Sequence, residues 1–214
     1  MKNHIDNYFK EIDQNVMKAY KIAEKARKMG HDPEEHVSVH IAKNMAERVE
    51  GLIGALLPQI INSGLAKRIQ ELENKYGKLD WRVALSISLE VANERFCKFE
   101  SKIRAMESGV RVGLAYLTLG VVSSPLEGFV ELKLKKRGDG KEYFCLMYSG
   151  PIRSAGGTAG AFSVVIADYI RKKMGYDVYD ATEKEIRRMV TELYDYHERV
   201  ANLQYLPNEK EIRF

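Results

Sequence analysis

The spacing of apolar residues changes once along this 214-residue chain, and that change restricts the folds open to it. Up to Gly109 the apolar residues recur every three or four positions, which lines one face of a helix. From Phe129 to Lys135 they alternate, with Val130, Leu132 and Leu134 on one side and Glu131, Lys133 and Lys135 on the other, the period of a half-buried strand. Gly138-Asp139-Gly140 offers a turn and Tyr143 to Tyr148 a returning strand, so residues 128–149 read as a β-hairpin. One hairpin among helices predicts an α+β fold: a helical N-terminal half, then the hairpin and two helices packed on a small sheet.

Stripes and stops place the helices. Ile5, Phe9, Ile12, Val16, Ala19/Tyr20, Ala23 and Ala26 form one stripe that Gly30 closes, with Lys10, Lys18, Lys21, Lys25 and Lys28 on the other face. A terminal helix of this length must bury its stripe on another element or another chain, so it is a docking arm, through which the chain could self-associate, or a core helix. After the His31-Asp32-Pro33 turn, a second helix is expected from about Ile41 through Met45, Val49, Leu52 and Ile53 toward Pro58. A third covers 65–76 on Leu65, Ile69 and Leu72, with Gly77 as an αL stop. Asp80 caps a fourth, expected from Trp81 to about Met106 with Val83, Ile87, Val91 and Ala92 inward and its end at Ser108-Gly109. Val110, Leu114 and Leu117 suggest a short helix up to Gly120. Beyond the hairpin, helices are expected from Thr158 to Met174, stopped by Gly175, and from Glu183 to Ala201, where Thr182 and Glu185 have capping-box spacing. Glu211-Ile212-Arg213 reads as the start of a strand cut short, as in a piece of a longer chain. The expected organisation is an arm and second helix over 1–57, a helical middle over 58–109 and an α+β unit over 110–214.

Composition narrows the function only a little. Thirty-four Lys and Arg against thirty acids leave a charge of +4, compatible with a polyanion partner and with plain solubility. No apolar run approaches the ~20 residues of a membrane span. Met1-Lys2-Asn3-His4 leads into charged residues with no apolar core, so no secretory signal and a cytoplasmic location are expected. Cys97 and Cys145 lie far apart without a CxxC, as small apolar residues rather than a disulfide or zinc site. His31, His36 and His40 cluster with Asp32, Glu34 and Glu35, and His36 and His40 would share one helical face, but without a preceding CxxC and next to the Asp32-Pro33 turn the group reads as solvated loop, and no metal is expected there.

Two basic regions could meet phosphate. In Tyr148-Ser149-Gly150-Pro151-Ile152-Arg153-Ser154-Ala155-Gly156-Gly157-Thr158, glycines and a hydroxyl stand where a strand gives way to a helix N-terminus, and Arg153 adds a cationic fork. Arg153, Ser154, Gly156, Gly157 and Thr158 are therefore candidate phosphate contacts. The same residues would also make a plain strand-to-helix turn in which Thr158 is an N-cap and Arg153 pairs with an acid. The loop fits neither a P-loop nor a dinucleotide fingerprint, and resembles the GxxG of a KH-type nucleic-acid module only loosely. At the hairpin tip Lys135, Lys136 and Arg137, with Lys133 and Lys141, are candidates for a DNA backbone, or keep a strand edge soluble. No GxSxG, HExxH or paired-acid motif for two-metal phosphoryl transfer is present, so no catalytic residue is expected.

The 148–158 block followed by Ala167-Asp168-Tyr169-Ile170-Arg171-Lys172-Lys173 resembles the N-terminal part of the large subunit of archaeal family D DNA polymerase. Ala23-Glu24-Lys25-Ala26-Arg27, Arg48-Val49-Glu50-Gly51-Leu52-Ile53-Gly54, Pro125-Leu126-Glu127-Gly128, Leu203-Gln204-Tyr205, Pro207 and Glu211-Ile212-Arg213 are similar in the same order. The resemblance implies a structural and assembly module of a replicative DNA-directed DNA polymerase whose catalytic aspartates lie downstream. It further implies a small 3′-to-5′ exonuclease subunit and primer-template DNA as partners, and magnesium for the full enzyme but no cofactor in this stretch.

Overall fold

A computed structural model of the chain describes residues 2–31, 41–118, 128–150 and 157–213. Helix α1 spans Lys2–Lys28, and α2 spans Met45–Gly54. A single 3-10 turn at Pro58–Ile60 precedes α3, Leu65–Tyr76, and α4, Trp81–Ala92. Then come α5, Lys102–Leu117; strands β1, Phe129–Lys136, and β2, Glu142–Tyr148; and α6, Gly157–Lys173. Helices α7, Glu183–Arg199, and α8, Glu209–Arg213, complete an α+β fold.

Helix α5 is the axis. Every residue from Ala105 to Tyr116 is buried, because other elements cover both of its sides. On one side Val112, Ala115 and Tyr116 join Val49, Ile53, Leu65, Ile69, Leu72, Val83, Ile87 and Val91 from α2, α3 and α4. On the other, Met106, Val110 and Leu114 join Phe129 and Leu132 of β1 and Ile166, Ala167 and Ile170 of α6. The inward positions expected on α3 and α4 are all buried, and α4 buries Ala84 and Ser88 besides.

The end of α4 departs from expectation. It stops at Ala92, where Glu94 takes a left-handed conformation (φ 57°) and the Arg95 N–H returns to the Glu90 carbonyl at 3.1 Å. A new helix begins after Ser101, whose hydroxyl accepts from the Arg104 N–H at 3.2 Å. Ser108-Gly109 is therefore no stop but the middle of α5, and the short helix expected after it is the same helix continued. Gly109 is there because α4 passes over it: a Cβ would sit 2.4 Å from the Ser88 carbonyl oxygen. Helix α2 starts at Met45 rather than Ile41, since Asn44 accepts from the Glu47 N–H at 3.0 Å. Gly77 ends α3 with φ 103° but an extended ψ of 157°, not in αL.

The C-terminal strand is also corrected. Glu211–Arg213 belongs to α8, because Asn208 accepts from the Lys210 and Glu211 N–H groups while the Glu211 carboxylate takes the Asn208 N–H at 2.7 Å, a reciprocal cap that commits the backbone to a helix. The expected capping box of Thr182 and Glu185 is formed at α7.

Candidate nucleic-acid interface

The hairpin is antiparallel, with Leu132 opposite Leu146 and Lys135 opposite Tyr143. Its start carries a β-bulge, since Phe129 and Glu131 face the consecutive residues Tyr148 and Met147. The extra residue reverses the expected facing: Phe129 is fully buried and Val130 is 46% exposed. A bulge leaves backbone groups outside the ladder, and two buried charges on α5 take them up. Arg111 donates to the Phe129 carbonyl at 2.7 Å and to the Val130 carbonyl at 2.6 Å. Glu107, which accepts from Arg111 at 3.1 Å and Arg104 at 3.0 Å, also takes the Leu132 N–H at 3.2 Å. The Arg111 guanidinium further lies 4.9 Å from the Phe129 ring centroid. Sequence reasoning misses these two charges, although an acid and a base four apart inside an apolar helical run are a visible signal.

At the tip, Gly140 turns the chain with φ 84°. Arg137 points back into the fold. Its guanidinium lies 3.3 Å from Asp139, 3.7 Å from Asp177 and 3.5 Å from Asp180, and it donates to the Val178 carbonyl at 3.1 Å. Its Nε makes no hydrogen bond, the Asp180 contact being an ion pair of poor geometry. The Asp177 N–H donates to the Glu142 carbonyl at 2.9 Å, and the Tyr143 and Tyr179 rings stand 5.0 Å apart, so residues 176–180 brace the tip. Lys141 pairs with Asp177 and Lys133 with Glu131. Lys135 and Lys136 stand exposed at the end of β1 and enter no ion pair among the described residues.

The glycine-rich loop is known here by its stems. Arg153, Ser154 and Gly156 lie outside the described residues; Gly157 opens α6, with Thr158 in its first turn. On the strand side, the Ser149 N–H donates to the Gly128 carbonyl at 2.9 Å. Tyr148, the first residue of the block, places its hydroxyl 2.7 Å from that of Ser163 on α6, and burial raises its pKa. Ser163 is fully buried and also donates to the Gly160 carbonyl at 2.6 Å. Strand and helix are thereby stitched together. The basic end of α6 is occupied with its own closure: Arg171 binds Asp168 at 2.8 Å and the Tyr176 carbonyl at 2.6 Å.

His36 and His40 lie outside the described residues, and His31 is exposed. Among the described residues no group of three His, Cys, Asp or Glu side chains is placed to hold a metal ion, and no helix is long and apolar enough to cross a membrane. Cys97 and Cys145 are half-buried free thiols.

The family described as DNA polymerase II large subunit DP2, N-terminal, matches residues 7–214. The chain is similar to the DNA polymerase II large subunit of Nanoarchaeum equitans, 48% identical over 207 residues that make up 97% of this chain and 17% of the relative. It is similar to that of Pyrococcus furiosus, 44% identical over 215 residues (100% of this chain, 16% of the relative), and to that of Methanococcus maripaludis, 43% over 206 residues (96% and 17%). The chain spans about a sixth of the length of these curated relatives. The resemblance carried by the 148–158 block thus extends across the molecule, and the chain belongs to the N-terminal family of the archaeal DNA polymerase II, or family D, large subunit.

Proposed function

We propose that this chain is the structural and assembly module at the N-terminus of the large subunit of a replicative DNA-directed DNA polymerase. The observation that carries the reading is the family match over residues 7–214. The buried charges agree with it, because they serve the fold itself. Glu50, on α2, accepts the Asn62 and Ala66 N–H groups at 2.9 and 2.8 Å, while Glu107 and Arg111 hold the β1 backbone. In this reading the catalytic aspartates and their magnesium lie downstream in the longer polypeptide, and a small 3′-to-5′ exonuclease subunit assembles with it in the cytoplasm. Lys135 and Lys136 meet the phosphates of primer-template DNA, together with the loop residues Arg153, Ser154, Gly156, Gly157 and Thr158. Arg137 holds the tip that presents them.

The test has two arms. Nucleotide incorporation by the 214-residue chain alone in magnesium would overturn the architectural role. In the assembled polymerase, replacing Lys135 and Lys136 by Gln should flatten the dependence of log K on log salt for primer-template binding by about 1 to 2, near 0.9 for each phosphate that is no longer neutralised. An unchanged slope would remove the two lysines from the interface.

A further inference from the structure

Where α3 gives way to α4, Lys78, Leu79, Asp80, Trp81 and Arg82 follow one another, and two large apolar side chains among them stand in water. Leu79 is 48% exposed and Trp81, the chain's one tryptophan, 58%. Helix α4 buries Val83, Ala84, Ile87 and Val91 yet leaves out its largest apolar residue.

The corner is held stiffly. Leu79 takes a left-handed conformation, φ 60°, which a leucine adopts only where its surroundings impose it. Here they do: its N–H donates to the Tyr116 hydroxyl at 2.9 Å, and Tyr116, fully buried on α5, donates onward to Glu73 at 2.9 Å. Asp80 accepts from the Arg82 N–H at 2.8 Å and from its guanidinium at 2.9 and 2.7 Å. Arg82 lies 5.0 Å from the centroid of the Tyr76 ring, and Lys75 Nζ stands 4.7 Å from the same ring. Trp81 is therefore presented from a backbone fixed before any ligand arrives, which lowers the cost of binding one.

Charge decides the class of ligand. Asp80 is taken up by Arg82 and Glu73 by Tyr116, whereas Lys75 and Lys78 are exposed and enter no ion pair among the described residues. Protein interfaces favour tryptophan and arginine but shed lysine. A tryptophan edged by unpaired lysines has instead the parts of a stacking platform: a π-face for one base and cations for the phosphates beside it. A duplex keeps its base faces inside the stack, so only an unpaired strand can use such a platform.

We propose that the α3–α4 corner is a contact for single-stranded nucleic acid, in which a base stacks on Trp81 while Lys75 and Lys78 meet the adjoining phosphates. The inference rests on the polymerase reading for the source of the strand, and it concerns residues apart from the hairpin tip and the glycine-rich loop.

The lone tryptophan makes the site its own reporter. Titrating the 214-residue chain with oligothymidylate should quench Trp81 fluorescence, and a blunt duplex of the same length should not; oligouridylate in parallel tells DNA from RNA as the preferred strand. Equal quenching by the duplex would overturn the stacking. Anisotropy of a labelled oligothymidylate reads the variants. Trp81→Ala should weaken binding about tenfold and Trp81→Phe should recover most of the loss. Replacing Lys75 and Lys78 by Gln should flatten the dependence of log K on log salt by about 1.4, near 0.7 for each phosphate. Fluorescence that no oligonucleotide moves, with an affinity unchanged in Trp81→Ala, would sink the proposal and leave the corner to a protein partner. That failure would leave the polymerase reading standing, since incorporation and the slope set by Lys135 and Lys136 test it separately.

Discussion

Three small residues decide how closely α4 and α5 approach. A Cβ at Gly109 would fall 2.4 Å from the Ser88 carbonyl oxygen, and one at Gly113 would fall 2.0 Å from the Ser88 hydroxyl and 3.1 Å from Ile166 Cδ1. A backbone oxygen cannot swing aside, so Gly109→Ala has to push a helix outward. It is expected to destabilise the fold by about 1 to 3 kcal/mol, read as a lower urea midpoint. Ser88 offers the converse. Its hydroxyl is buried and has no hydrogen-bond partner, so Ser88→Ala removes a desolvated polar atom and should gain up to about 1 kcal/mol. It should also soften Gly113→Ala, so that a double-mutant cycle shows the pair costing less than the sum of its parts. A loss of stability in Ser88→Ala would mean that the hydroxyl has a role the packing does not reveal. The sequence displays these glycines but not their use: a glycine that ends a helix and one that admits a neighbouring backbone are the same letter, and only the partner at Ser88 tells them apart.

Among the elements, the hairpin depends on α5 through Arg111. Replacing it by Met leaves the Phe129 and Val130 carbonyls without their donor and deprives buried Glu107 of a buried cation, so a loss of about 3 to 5 kcal/mol is expected, with fast amide exchange along β1. Exchange in β1 unchanged from the parent would show that the bulge holds without the clamp. Helix α7 carries a pH-sensitive start. The Tyr179 hydroxyl at 2.5 Å, then the backbone and hydroxyl of Thr182, hold the Glu185 carboxyl down at about 2, while the tyrosine is pushed up to about 12. A carboxyl lowered on folding adds stability that is complete above its ordinary 4.5 and fades as the pH falls toward 2. Acid titration of α7 amides should therefore show fraying in that window in the parent, and Glu185→Gln should show a smaller step, the remainder coming from Glu183, whose carboxyl Arg213 and Arg187 also hold down. These caps also mark what was legible. Thr182 and Glu185 stand before an apolar periodic run and are readable as a start, whereas Asn208 and Glu211 precede only five helical residues, too few for a period to emerge. The bulge at Val130 escapes for a related reason, since alternation from Leu132 onward extends naturally back to Val130 and only the pairing with β2 reveals the extra residue. The loop residues Arg153 and Ser154 stand out by composition, while Tyr148 and Ser163, which fasten its stems, meet only in the folded chain.

At the scale of the molecule, the two hydrophobic clusters share one helix. Val112 and Tyr116 face the α2–α4 side and Val110 and Leu114 face the hairpin and α6, so neither cluster can dissolve without stripping half the cover from α5. Cooperative unfolding of helices α2 to α6 with the hairpin follows from that geometry, across the division at 109 and 110 that sequence organisation suggests. The chain's single tryptophan, Trp81, is 58% exposed at the start of α4, the helix that gives Val83, Ala84 and Ile87 to the first cluster, whereas Phe129 is fully buried in the second. Phe129→Ala empties a large site and should cost about 3 to 5 kcal/mol. If α5 couples the clusters, the urea midpoint reported by Trp81 fluorescence drops as far as the one reported by β1 amide exchange, although Trp81 belongs to the other side of the shared helix. If the tryptophan midpoint stays in place while the hairpin's falls, residues on either side of α5 fold as separate units. Helices α1 and α7, with no buried side chain among those described, stand outside this unit and should exchange their amides long before either probe moves. A rigid centre with loosely held outer helices is the mechanical condition for an assembly module, because the core can keep its shape while its arms exchange solvent for partners.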